Sequence, residues 1–140
     1  MLSSSPSDWN KSVIDEFRAN EGRIGGHFQG APVLLLHTIG ARSGQARVHP
    51  IMYLDVDGRR FVFATKRGGP TNPDWYHNLI AHPSVKVEVG TDTISVKAVP
   101  VQGAEHDRIY AEQVRRFPSF GEYQEKTERV IPVVELTAEE

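Results

Sequence analysis

"VLLLHTIGARSGQARVHPIMYLDVDGRRFVFATK", residues 33–66, holds three strand-like runs and two breaks. Val33-Leu34-Leu35-Leu36 is continuous and apolar, which predicts a buried first strand over 33–38. A second strand spans 46–56, and Asp57-Gly58 is a strong signal for a two-residue hairpin turn. Arg59 to Lys66 then returns antiparallel as the third. Between the first two strands, "TIGARSGQARVHP" (38–50) packs two arginines, a serine and two glycines. What this strand-edge loop holds is the functional question.

Moving toward the N-terminus, "EGRIGGHFQGAP" (21–32) carries four glycines and reads as loop. Trp9, Val13 and Phe17 recur at four-residue spacing, so residues 7–18 read as an amphipathic helix behind a polar tail, 1–6. Such a helix either caps the core, covers a substrate entrance or touches a membrane surface. Toward the C-terminus, "RGGPTNP" (67–73) reads as loop, and Asn72-Pro73 as the N-cap and first residue of a helix, "DWYHNLIAH", ending before Pro83.

Val85, Val87 and Val89 alternate with Lys86 and Glu88, the pattern of a half-buried strand. Gly90 to Asp92 turns it back, with Ile94, Val96 and Ala98 inward. Tyr110, Val114 and Phe117 mark one face of a helix over 104–117. "PSFGEYQEKTER" (118–129) reads as a helical or looped bridge, and "VIPVVEL" (130–136) as the last strand. Six mostly antiparallel strands with flanking helices predict an α+β domain over 1–140, its edges removed by closing into a small closed or split β-barrel.

Composition narrows the chemistry. The 140 residues are 39% hydrophobic and 24% charged with a net charge of −2, so no diffuse positive field exists to attract nucleic acid. Cysteine is absent, which excludes disulfides, thiolate catalysis and sulfur-ligated metals and fits a cytosolic setting. The start lacks the pattern of a secretory signal, and no run is long and apolar enough to span a bilayer. The expectation is a cytoplasmic monomer or homodimer with at most peripheral contact at the inner membrane face. No phosphate-binding glycine loop, dinucleotide fingerprint, nucleophile elbow or zinc motif is present. His77 and His82 are five apart, off a common helix face, and no metal site is expected.

What remains is a cluster of cations. Arg42 and Arg47 flank a Ser-Gly turn, and Lys66 and Arg67 end the third strand. Hairpin pairing brings Arg47 and Lys66 toward one open end, next to the positive end of the helix that starts at Asn72. That arrangement suits a phosphate or polycarboxylate, although ordinary solvated loop charge would give the same sequence pattern. Met52, Tyr53, Phe63, Trp75 and Tyr76 lie nearby, as core or as a surface for a flat apolar ring. Trp75 and Tyr76 are adjacent on a helix and cannot face the same way.

The blocks "TIGARSGQARVHPIMYL", "ATKRGGPTNPDWYHNLIAHPSVKVEV" and "RRFPSFGEYQEKTERVIPVVEL" resemble the deazaflavin-dependent nitroreductase family of actinobacteria, over roughly residues 22–136. The resemblance implies a split β-barrel of the flavin-reductase type and reduced coenzyme F420 as hydride donor. It also implies a quinone or similar planar conjugated acceptor. F420 is a deazaflavin with a phospholactyl-oligoglutamate tail, which answers the question posed by the loop. Carried over by position, the resemblance assigns Ala41, Arg42 and Ser43, then Arg47, Val48, His49, Pro50, Ile51 and Met52, to the tail and one side of the ring. Phe63, Ala64, Thr65 and Lys66 wrap the phosphate and ring edge. Asp74, Trp75, Tyr76, His77 and Asn78 close the site.

The substrate pocket falls to Phe120 and Tyr123. Phe117 and Phe120 stand where the family's nitroreductases carry tyrosines, so only Tyr123 offers a phenol, which argues against nitroimidazole reduction. Two other readings stay open: a non-catalytic deazaflavin- or lipid-binding barrel, and an FMN-dependent reductase. FMN offers one phosphate, whereas a row of cations suits a longer anionic tail.

Overall fold

The computed structural model describes residues 6–22 and 32–139. Six strands run β1 (Val33–Ile39), β2 (Ala46–Val56), β3 (Arg59–Phe63), β4 (Ser84–Val89), β5 (Asp92–Val101) and β6 (Val133–Ala138). They close in the order β1-β2-β3-β6-β5-β4, every pair antiparallel, with β4 returning to β1 through Leu35↔Glu88 to His37↔Lys86. Closure leaves no strand edge open, the solution expected for this many short strands. Four helices flank it: α1 (Pro6–Ala19), α2 (Asp74–Ala81), α3 (Gly103–Arg116) and α4 (Ser119–Glu125). None of them is long and apolar enough to cross a membrane.

The apolar run of β1 is buried on both faces, and this explains its lack of alternation. Leu34 and Leu36 face the barrel interior with Val62, Leu79, Val87 and Val134. Val33 and Leu35 face outward and are covered by Val13 and Phe17 of α1. The core-capping role of α1 is therefore the one its described side chains take; the side chain of Trp9 lies outside the described residues, as does most of the glycine-rich stretch 21–32. A third cluster, with Phe61, Phe63, Ile109, Tyr110, Phe120, Ile131 and Val133, packs α3 and α4 onto the outside of β3 and β6.

Asp57 and Gly58 both take positive φ (53° and 79°), as the tight hairpin turn requires. Elsewhere the elements depart from the pattern reading. β3 stops at Phe63, three residues before Lys66, because the Ala64 N–H donates to Pro132 O and the Thr65 N–H turns back to Phe63 O. Asn72 does not cap α2. Pro73 occupies that position without a side-chain cap, and the Asn72 side-chain oxygen Oδ1 instead accepts a hydrogen bond from Arg129. β6 starts at Val133, not 130, since Val130 is 69% exposed and the Ile131 N–H bonds the Gln124 side chain.

Tyr110 ties α3 to α4: its hydroxyl donates to Phe120 O at 2.6 Å, and its ring meets Phe63 edge-on. Burial pushes the phenol up to about 12. Tyr110→Phe should lower stability by about 1–3 kcal/mol, because it leaves a buried carbonyl unpaired. A folded-state value above the unfolded one means that this contribution is complete below pH ~10 and lost as the pH rises through about 12. Chemical denaturation of both proteins at pH 7 and pH 11 checks both statements; equal stability at pH 7 would show the bond contributes nothing.

Candidate functional site

Two cavities open side by side at one end of the barrel. The first, about 650 Å3, is lined by Gly40, Ala41, Arg42, Ser43, Arg47, Lys66, Thr71, Asn72, Asp74, His77 and Asn78. The second, about 520 Å3, is lined by Pro50, Ile51, Met52, Phe63, Thr65, Lys66, Arg67, Pro73, Trp75, Phe117, Ser119, Phe120 and Tyr123. The first is polar and carries three cations and one carboxylate. The second is walled mostly by aromatic and aliphatic groups, with the hydroxyl residues Thr65, Ser119 and Tyr123 and the cations Lys66 and Arg67 also in its lining. Lys66 belongs to both.

The loop of the first cavity is held from beneath by α2. Asn78, buried, accepts from the Ala41 N–H (2.9 Å) through its carbonyl and donates through its amide to Thr38 Oγ1 (3.2 Å). The Thr38 hydroxyl, an acceptor there, also shares a 3.1 Å hydrogen bond with His49 Nε2. Burial first and the Arg47 charge second hold the His49 pKa below its ordinary value, while Asp74 acts weakly the other way. One polar chain therefore runs from α2 through β1 to β2 and fixes the backbone at Ala41.

Gly40 allows the loop to close tightly. A Cβ there would lie 2.4 Å from Ser43 Oγ, the atom that accepts from the Gln45 N–H. Arg42 and Arg47 are exposed and make no ion pair among the described residues. Lys66 Nζ donates to Thr71 Oγ1 at 2.9 Å, a neutral partner that leaves its charge uncompensated.

Lys66 sits on an unusual turn. Lys66, Arg67 and Gly68 take φ of 47°, 53° and 82°, three consecutive residues in the left-handed region. Each non-glycine residue there costs roughly 1–3 kcal/mol and persists only where its surroundings hold it. Arg129 does the holding. Its guanidinium donates to Ala64 O (3.1 Å), Thr65 O (2.8 Å), Gly69 O (3.0 Å) and Asn72 Oδ1 (2.6 Å). Gly68 packs against α4 so closely that a Cβ would meet Tyr123 O at 2.8 Å. The turn is clamped from both sides.

Most of the positions singled out in the sequence converge here. Ala41, Arg42, Ser43, Arg47, Asp74, His77 and Asn78 line the polar cavity, and Pro50, Ile51, Met52, Phe63, Thr65, Trp75, Phe120 and Tyr123 the apolar one. Ala64 is buried behind them and offers only its carbonyl, to Arg129. Val48 and His49 line neither cavity but a groove beneath α1 that adjoins the first at Arg47. Tyr76 faces another, beside His106. Trp75 lines the apolar cavity and Tyr76 does not, since adjacent helical positions project in different directions. Gly40, Thr71, Asn72, Ser119 and above all Arg129 were not anticipated. An arginine in a polar bridge gives no sequence signal that it will fold back onto four acceptors.

Comparison with known proteins bears on this arrangement. The family model for F420H(2)-dependent quinone reductases matches residues 9–138. A relative from Mycobacterium tuberculosis, an F420H(2)-dependent quinone reductase, is 41% identical over 127 residues, 86% of this chain and 84% of its own. A solved F420-H2 dependent reductase superposes with a TM-score of 0.69 at 35% identity, covering 80% of this chain and 99% of its own. A solved domain-swapped dimer gives a TM-score of 0.71 at 33% identity over 94% and 99% of the two chains.

The Arg129 clamp is open to a direct test. Arg129→Ala should cost about 2–3 kcal/mol, since several carbonyls lose a charged donor together. Hydrogen exchange should quicken at the Gly68 and Gly69 amides, which bond Thr65 O and Lys66 O across the turn. Arg129→Lys should recover part of both effects. Unchanged exchange at those two amides in Arg129→Ala would show that the turn stands without it.

Proposed function

The chain belongs to the F420H(2)-dependent quinone reductase family, and from that premise we propose how the two joined cavities share the cofactor and the acceptor. The protein is an oxidoreductase that takes reducing equivalents from F420H2 and passes them to a quinone. The observation that carries the site assignment is the position of Lys66 in the wall of both cavities. A ligand with an anionic tail joined to a flat apolar ring needs one region of each kind, meeting at a cation.

The residues fit that group. Arg42, Arg47 and Lys66, none of them in an ion pair among the described residues, meet the phosphate and the first carboxylates of the tail as charge-assisted partners. The polar chain through Asn78 and Thr38 holds the loop amides still, which spares the ordering cost on binding. Pro50, Ile51, Met52 and Phe63 form the floor for the ring, and Trp75 its edge. Reduced deazaflavin, when bound, supplies the hydride. Phe117, Phe120 and Tyr123 form the facing wall, which keeps water out and holds a planar acceptor parallel to the floor at short range. Tyr123 carries the phenol of that wall and donates a hydrogen bond to the acceptor's oxygen as negative charge develops there. The protein is placed in the cytoplasm by the same reading, with at most peripheral contact at the membrane's inner face.

With menadione as acceptor, purified protein should oxidise reduced F420 and leave reduced FMN and NADPH untouched. Lys66→Ala or Arg47→Ala should weaken F420 binding by about ten- to a hundredfold, the worth of one charge-assisted bond. Fluorescence titration reads this, and unchanged affinity in both variants would remove the cationic cavity as the tail site.

A second test concerns the acceptor. A quinone delocalises the charge left by hydride addition and needs little help, whereas a nitroimidazole needs a placed donor, worth on the order of 10²–10³ in rate. Wild type should reduce menadione well and bicyclic nitroimidazoles poorly, and Phe120→Tyr should raise only the second rate. Equal wild-type rates on both acceptors would show that the missing phenols do not set the substrate range.

A further inference from the structure

Both cations of the apolar cavity stand on the left-handed turn. Lys66 and Arg67 are neighbours in its lining, and no aspartate or glutamate lines it among the described residues. The two side chains do not share a direction. Lys66 reaches both cavities, whereas Arg67 lines the apolar one and not the polar one. Once the cofactor's phosphate has met Lys66, Arg67 is the positive charge left on the acceptor's side.

That charge has no counter-charge within the described residues. Arg18, Arg59, Arg108, Arg115 and Arg116 pair with carboxylates, and Arg129 gives its donors to the turn and Asn72. Arg67 forms no ion pair, and its side chain makes no hydrogen bond. It is exposed, and its backbone lies at φ 53° and ψ 33°, a conformation that disfavours arginine. The next residue, Gly68, is pressed against Tyr123 O and Lys126 Cβ, so the turn is fixed to the segment that forms the facing wall of the cavity. Lys126 is a further cation and offers no compensation.

We propose that Arg67 is a specificity-determining residue for the acceptor: it binds a negative substituent at the exposed side of the apolar cavity and favours quinones that carry a carboxylate or sulfonate over neutral ones. This rests on the reading that places the acceptor in that cavity, and it adds the acceptor's charge to that reading. The aromatic walls take the ring, and the guanidinium, a planar fork, takes two oxygens of the substituent. Such a substituent keeps its charge while hydride is transferred to the ring system. The contact is therefore as strong in the ground state as in the transition state, and it acts on KM rather than on kcat. Exposure keeps the effect small and sensitive to salt.

The test compares two acceptors at saturating reduced F420: menadione, which is neutral, and naphthoquinone sulfonate, which carries a fixed negative charge. Arg67→Gln removes the charge and keeps most of the length. It should raise the KM for the sulfonate about two- to fivefold with kcat retained, and lower the preference for the sulfonate over menadione by the same factor. Arg67→Lys should restore the preference, and Arg67→Glu should lower it further. At about 1 M salt, where the Debye length is about 3 Å, wild type and Arg67→Gln should show the same preference. An unchanged preference in both Arg67→Gln and Arg67→Glu, or a fall in kcat shared by both acceptors, overturns the role. Ser119→Trp, which fills the same cavity from its lining, tests the reading beneath the proposal and should slow both acceptors. If it does so while the Arg67 variants keep the wild-type preference, the proposal fails alone. If it slows neither acceptor, the acceptor does not occupy this cavity and both fail.

Discussion

Everything at the open end of the barrel depends on the burial of β1 from two sides. Leu34 and Leu36 fill the interior, Val33 and Leu35 are covered by α1, and the strand pairs with β2 on one edge and β4 on the other. A strand enclosed on four sides cannot slip in register, because a one-residue shift would exchange its two apolar sets between different partners. Thr38 at its far end is thereby fixed, and with it the hydrogen-bonded chain to Asn78 and His49. The loop that lines the polar cavity begins two residues later. The precision of the site starts in the core.

A second constraint works from the other side of the cavities. The turn at Lys66 is strained, and Arg129 and α4 hold it. Gln124 extends the clamp, donating to Arg129 O at 2.7 Å and accepting from the Ile131 N–H at 3.0 Å. The bridge between α3 and β6 therefore acts as the back wall of the site. Its Phe120 ring meets Phe63 and Tyr123 edge-on, so the same segment shapes the apolar cavity and supports the charged one.

The parts legible in the sequence were those written in local patterns. Strand alternation at Val85 to Val89, the Asp57-Gly58 turn and the apolar run of β1 each carry their meaning within a few residues. The convergence of Arg47 with Lys66 followed from a hairpin, although β3 ends early and the approach is made by the turn beyond it. What stayed hidden was long-range and polar. Asn72 resembled a helix cap because its use by Arg129, 57 positions away, leaves no trace in its neighbours. Tyr76 could not be separated from Trp75 until the face of α2 was known. Val48 and His49 fell in a block that matched a family pattern, but strand alternation sends Val48 toward α1 and leaves His49 on the other face, bonded to Thr38.

The left-handed turn at Lys66 also sets backbone ease against the placing of a charge at a single position. Glycine or asparagine would adopt that backbone at lower cost than lysine does, so the chain holds a residue there that its own conformation disfavours. Selection for heat resistance alone would replace it, and the product would be a sturdier barrel with a neutral gap between its two cavities. Lysine at a backbone position that disfavours it trades conformational ease for a charge set between two cavities, so stabilising substitutions are better sought elsewhere in the barrel.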